Sequence, residues 1–248
     1  MTEHTVKAFD DDLNRLRGLV SEMGSRAALA LEQAMQALDR RDKDAAARIV
    51  AQDRIIDDLE AEVEKLVVTT IALRAPMADD LRTMIAALKI AAVLERVGDY
   101  AKSIAKRVPI LSADRSVEAI PLLTSMSALV CEMLRDVLAA YAGRDAAQAQ
   151  DVCARDAKVD DFYNSIFRAL ITYMMENPRS ITESAHLLFI AKNIERAGDH
   201  ATNVGEMVYF AVTGQRMDER EKGISITDAA MDENGAETPA APSTQTKG

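Results

Sequence analysis

The sequence predicts an all-α protein made of two tandem three-helix bundles, six long helices in all, and three observations lead there. First, 48% of its 248 residues are apolar but only 4% are aromatic, with no Trp, ten Gly and six Pro. Sandwiches and barrels need aromatic and β-branched strands between frequent turns, whereas Ala, Leu, Glu, Arg and Met are strong helix formers. Second, every proline falls outside the periodic segments: Pro76, Pro109, Pro121, Pro178, Pro239 and Pro242 divide the chain rather than interrupt it. Third, the two halves repeat.

The first helix is expected over about residues 4–39, where Leu13, Leu16, Val20, Met23, Ala27, Leu31, Ala34 and Leu38 recur at gaps of three and four. The second, about 43–74, continues that period with Ile49, Ile56, Leu59, Val63, Leu66 and Leu73. The third, about 78–107, carries Leu81, Ile85, Leu88 and a dense apolar stretch to Val97. These three form a first repeat over 1–107. A linker at 108–116 ends on Ser116, a plausible N-cap ahead of Glu118 and a first-turn Pro121. Helices near 117–142, 145–175 and 180–213 make the second repeat over 117–213. Helices of about 30 residues would each span about 45 Å, so elongated bundles are expected.

Residues 214–248 carry four basic and seven acidic side chains, net −3, no aromatic residue and two prolines. That composition cannot bury enough apolar surface to order itself, and a disordered tail is expected.

Charge narrows the function. Thirty Lys plus Arg against forty Asp plus Glu give a net charge of −10, which disfavours nucleic-acid binding because that needs a basic face. Two cysteines, Cys131 and Cys153, are too few for a disulfide framework and suit a reducing cytosol. No signal peptide or membrane span is legible, so a cytoplasmic protein is expected.

The repeat is explicit. At an offset of 103, Met23 matches Met126, Leu31 matches Leu134, Arg41-Asp42 matches Arg144-Asp145, Asp53 matches Asp156, and Asp57-Asp58 matches Asp160-Asp161. Past Pro76 and Pro178 the offset becomes 100, and Leu88, Ile90, Ala91, Glu95, Arg96, Gly98, Asp99 and Ala101 recur at 188, 190, 191, 195, 196, 198, 199 and 201. One three-helix unit is used twice.

Each third helix therefore carries Glu-x-x-x-Asp, Glu95 with Asp99 and Glu195 with Asp199. A spacing of four puts both carboxylates on one helical face. The second helices add Asp53 with Asp57 and Asp156 with Asp160, and where adjacent helices meet, four or more carboxylates converge in each bundle. Ionised side by side in a partly dry place, such groups persist only with a cation, an Arg or Lys partner, or shared protons. Oxygen-rich clusters suit Mg, Mn, Fe or similar ions, while Arg96 and Arg196 beside each Glu leave solvation or pairing open. Gly98 and Gly198 each cost about 1 kcal/mol in a helix interior and point to close helix packing. Asn203, one turn on, is a further oxygen donor for the second ridge, with Ser103 a weaker counterpart. The repeat equivalent of His200 is Tyr100, so a symmetric histidine ligand is absent, and no Glu-x-x-His pair, nucleophile with its base, or phosphate loop is present.

Tandem repeats holding LERVGDYA at 94–101 and IERAGDHATNVGE at 194–206, with the aspartate pairs of QDRIIDDLE and RDAKVDDFY, resemble the PhoU family of phosphate-regulatory proteins over about residues 10–213. The resemblance implies a cytoplasmic six-helix protein, often a homodimer. It implies action with the ATPase side of a phosphate-specific ABC transporter and with a phosphate-sensing histidine kinase, repressing the phosphate-starvation regulon when phosphate is plentiful. It further implies that Glu95, Asp99, Glu195 and Asp199 lead a set of metal ligands, followed by Asp53, Asp57, Asp156 and Asp160, for a divalent ion or multinuclear cluster (Mg, Mn, Fe or Zn). The competing reading is a carboxylate-cluster metal-binding protein or metalloenzyme, against which the absence of histidine ligands argues.

Overall fold

The computed structural model describes residues 2–111 and 119–217, and in the order of the chain they form α1 (Thr2–Arg40), α2 (Lys43–Gln52), α3 (Arg54–Arg74), α4 (Ala78–Ala105), α5 (Ala119–Gly143), α6 (Ala146–Cys153), α7 (Asp156–Glu176) and α8 (Ile181–Thr213). Short 3-10 turns stand at Val108–Ile110 and Pro178–Ser180. The six expected helices are present, with the second of each repeat interrupted, at Asp53 in one and at Ala154–Arg155 in the other. The Ser116 cap and the segment 218–248 of the expected tail lie outside the described residues.

Local chemistry places the helix ends, and it does so twice. Arg41 and Arg144 hold left-handed backbone at φ 55° and 53°, closing α1 and α5. The next amides reach back, Asp42 to the Ala37 carbonyl and Asp145 to that of Ala140, each at 2.9 Å, the six-to-one bond of a Schellman ending. The same aspartates then cap the following helix: the Asp42 carboxylate accepts from Ala45 N at 2.8 Å, and that of Asp145 from Ala147 N and Gln148 N. The turns at Pro76 and Pro178 return the chain to α4 and α8.

Four long helices close on one another: α1 packs on α4 and α5, and α8 packs on α4 and α5. α3 lies against α1 and α4, and α7 against α5 and α8. One continuous core runs through both repeats, filled by Leu16, Met23, Leu31, Met84, Leu94, Met126 and Leu134, each fully buried. Met23 and Met126 are repeat-equivalent, as are Leu31 and Leu134, so the apolar period of the first helix of each repeat is the packed stripe, whereas Leu73 and Leu81, expected on the stripes of the second and third helices, are exposed. Cys131 donates from Sγ to the carbonyl of its repeat counterpart Ala28 at 3.8 Å, and burial pushes its thiol up to about 11.

The duplicated glycines are packing residues. A Cβ on Gly98 would lie 2.8 Å from Ile56 Cδ1, and one on Gly198 would lie 3.1 Å from Val159 Cγ1. Ile56 and Val159 are themselves repeat-equivalent, so one knob enters one hole in each half. Gly205 is tighter against backbone: its Cβ would meet Cys153 Sγ at 2.7 Å and the Ala149 carbonyl oxygen at 3.0 Å. Carbonyls cannot step aside as side chains do. The clash outweighs the gain in helix propensity, and Gly205→Ala is expected to lose about 1 kcal/mol, read as a lowered urea midpoint with an unchanged slope.

Candidate functional site: two carboxylate clusters, each with a lysine

The helix break at Asp53 turns its side chain under α4, where it is only 7% exposed, and the matching break places Asp156 at the start of α7, 9% exposed. The expected ridges do converge. In the first repeat Asp53 and Asp57 from the α2–α3 corner face Glu95 and Asp99 from α4. Glu95 shares a hydrogen bond with Asp99, and its carboxyl is pushed up to about 7 by burial first, then by the charges of Asp99, Glu60 and Asp57. Burial and then the charge of Asp53 push Asp57 in the same direction. Burial, then the neighbouring charges of Glu64 and Asp57, also raises Glu60. A cavity of about 260 Å³ beside the cluster is lined by Asp53, Gly98, Ile49, Ile55 and Leu29.

The second repeat brings together Asp156, Asp160, Glu195 and Asp199. Asp160 is pushed up to about 6, by burial and then by Asp156, Glu195 and Asp199. Glu195 is deeper than its counterpart, 6% exposed, whereas Glu95 is half-buried. The first ridge is more open than the sequence suggested: Asp99 is half exposed, and Asp57 is exposed. Asp58 and Asp161 lie on exposed faces, Asp58 paired with Arg54 at 3.7 Å.

Each cluster holds an ammonium group that the repeat did not announce. Lys102 Nζ donates to Asp53 Oδ2 and, at 3.3 Å, to Asp99 Oδ1. Its pKa is pushed up to about 12, the hydrogen bond to Asp53 being the largest cause. In the other half Lys192 Nζ donates to Glu195 Oε1 at 2.8 Å and lies 5.1 Å from the centre of the Tyr163 ring. These lysines are not equivalent. Thr202 stands where Lys102 does and Ala92 where Lys192 does, so a comparison of the halves passes over both. Glu60 was also missed. Its signal was position, three residues after Asp57 on the same face of α3.

Chemically, each cluster is a set of acidic oxygens partly neutralised by a lysine and partly by a retained proton. The donor atoms are the hard oxygens that Mg or Mn prefer, but among the described residues no group of three or more His, Cys, Asp or Glu is disposed to hold a metal ion. As placed, the side chains fit an ammonium in their midst. Asn203 and Ser103 do not extend the ridges: Asn203 Nδ2 lies 3.3 Å from His200 Nδ1, and Ser103 Oγ accepts from Arg107 and from Asn193. Both belong to the seam between α4 and α8, where Tyr100 Oη and His200 Nε2 are 3.1 Å apart. Among the described residues no helix is long and apolar enough to cross a membrane.

The PhoU domain model matches the chain twice, over residues 20–108 and 123–208. A Zymomonas mobilis protein named as a phosphate-specific transport system accessory protein PhoU homolog is 54% identical over 220 residues, covering 89% of this chain and 93% of its own. A Caulobacter vibrioides protein of the same name is 44% identical over 227 residues, 91% of this chain and 99% of its own. The crystal structure of the phosphate transport system regulatory protein PhoU from Streptococcus pneumoniae superposes with a TM-score of 0.80 at 28% identity, covering 85% of this chain and all of that one. PhoU from Pseudomonas aeruginosa superposes with a TM-score of 0.72 at 30% identity, covering 87% and 100%.

Proposed function

Because the chain belongs to the PhoU family, we propose that it is the accessory regulator of a phosphate-specific transport system, a negative regulator of the phosphate-starvation response that modulates phosphate uptake. In this role it bridges the ATPase subunit of a phosphate ABC transporter and a phosphate-sensing histidine kinase, in the cytoplasm and as a homodimer. The observation that carries the reading is the 54% identity, across 93% of its length, to a relative named for that system. The reading is of an adaptor and not an enzyme, with Lys102 paired to Asp53 and Asp99 and Lys192 to Glu195.

A second reading makes the ridges cation holders, with Glu95, Asp99, Asp53 and Asp57 in one half and Glu195, Asp199, Asp156 and Asp160 in the other taking Mg, Mn, Fe or Zn in exchange for the ammonium groups. The repetition of all eight acids supports it.

Deleting the gene is expected to switch on a phosphate-starvation reporter in phosphate-rich medium, with repression restored by the intact gene. A reporter that stays silent in the deletion strain overturns the regulatory reading.

A further inference from the structure

The seam where α4 crosses α8 carries charges that neither cluster uses. Arg96 and Arg196 are repeat-equivalent, and both are exposed. Each stands one helical turn before the ring of its own helix, Tyr100 or His200, and so shares its face. The two rings meet, with centroids 5.4 Å apart and planes inclined by 22°. α4 and α8 run antiparallel, and the 3.2 Å contact of Asn193 Nδ2 with Ser103 Oγ fixes their register. In that register Arg96 falls level with His200, and Arg196 level with Tyr100. Two guanidinium groups therefore flank one aromatic pair. Glu60 on α3 is within electrostatic reach of Arg96, and Asp199 neighbours His200. Among the described residues, though, neither arginine forms a side-chain hydrogen bond or an ion pair.

The same seam opens sideways. Asn203, beside His200, lines a cavity of about 420 Å³ together with Lys89, Arg216, Glu206, Met207 and Phe210. At the repeat-equivalent end Phe189 replaces Lys89, and the Arg107 guanidinium stacks 5.2 Å above its ring. Duplication thus leaves one end of the seam filled by an arginine on a phenylalanine, and the other cationic and open.

In a chain of net charge −10, Lys89 and Arg216 line this cavity beside Glu206, while Arg96 and Arg196 stand at the Tyr100 ring together with Asp199 and Asp99; because neither guanidinium is tied up in an ion pair, the seam offers its donors to an anion. Guanidinium forks match tetrahedral oxyanions, and Tyr Oη and Asn Nδ2 are neutral donors that complete such a shell. We propose that the α4–α8 seam binds a phosphate-type oxyanion between Arg96 and Arg196, either as the free ion or as the phosphoryl end of a small molecule whose body fills the adjoining cavity. The inference stands on these side chains and does not rest on the transport reading.

Isothermal titration of the full chain at constant ionic strength tests it, with inorganic phosphate in one arm and adenosine triphosphate in the other. Matched ionic strength removes general screening from the comparison. Binding of inorganic phosphate identifies the free ion as sufficient. Binding of the nucleotide alone, weakened by Lys89→Ala, identifies the phosphorylated molecule. In either case Arg96→Ala/Arg196→Ala should weaken binding at least about tenfold, the loss expected for charge-assisted hydrogen bonds, while Lys65→Ala on the outside of α3 leaves it unchanged. Both arginines are exposed, so the double variant should keep its circular dichroism. No heat with either probe, or equal affinity in the folded double variant, overturns the proposal.

Discussion

Replacing Lys102 by Met is expected to cost about 2–3 kcal/mol at pH 7. Asp53 is 7% exposed, and Lys102 is its charged partner. Methionine fills the same space but leaves that carboxylate buried beside Asp57 and Asp99 with no ammonium between them. Breaking a buried pair from one side costs about 3–5 kcal/mol, and the expected cost falls to the bottom of that range or just below it because Lys102 keeps 29% of its side chain in solvent. The folded lysine's pKa, about 12, lies above its ordinary value of 10.5. Its contribution is therefore fully present below about 10.5 and is lost only as pH rises through about 12, so neutral urea melts report all of it. Lys65→Met, on the exposed side of α3, is the control and should change stability by less than about 0.5 kcal/mol. Adding Asp53→Asn to Lys102→Met should recover most of the loss, because the stranded charge is gone. A Lys102→Met protein as stable as the wild type would show that the cluster does not depend on its lysine.

The opposite sign is expected for Glu95→Gln combined with Asp160→Asn, which should stabilise the protein by about 2 kcal/mol at pH 8. Folded Glu95 titrates at about 7 against an ordinary 4.5, and Asp160 at about 6 against 3.8. In those windows the folded state binds more protons than the unfolded one, so stability is highest at low pH and falls as pH rises toward 7. A tenfold difference in proton affinity between the folded and unfolded chain is worth about 1.4 kcal/mol, discounted here because both groups are only partly buried. The amides cannot ionise, so the fall between about pH 4 and 7 should flatten. A metal ion seated on the ridges would reverse the result: the amides would then destabilise, and chelator would lower the wild-type midpoint but not the variant's. Melts at pH 5 and pH 8, with and without chelator, separate a shared proton from a resident cation.

The sequence carried most of the fold because its signals came in pairs. Arg41-Asp42 and Arg144-Asp145 are helix stop and helix start in both halves, and Gly98 and Gly198 receive Ile56 and Val159 in the same way. The breaks at Asp53 and Ala154–Arg155 were hidden, since the apolar period of Ile49, Ile56 and Val63 runs on through the first of them. The eight acids were legible as two sets for the same reason as the folds: they recur. Lys102 and Lys192 were not, because they occupy unlike positions, and recurrence discards what occurs once. Asn203 pointed the wrong way for a more general reason. It stands one turn after Asp199, yet its amide meets His200 in the seam, and periodicity alone does not say which neighbour a side chain meets.

The two halves share a backbone but place their ammonium groups differently, Lys102 joining Asp53 to Asp99 and Lys192 lying between Glu195 and the Tyr163 ring. A molecule with interchangeable ends offers a partner two equal ways to sit. Here the two halves are marked, since one presents a more open acidic ridge and the other a deeper one. Gene duplication supplied the symmetry, and two unmatched lysines give it a direction.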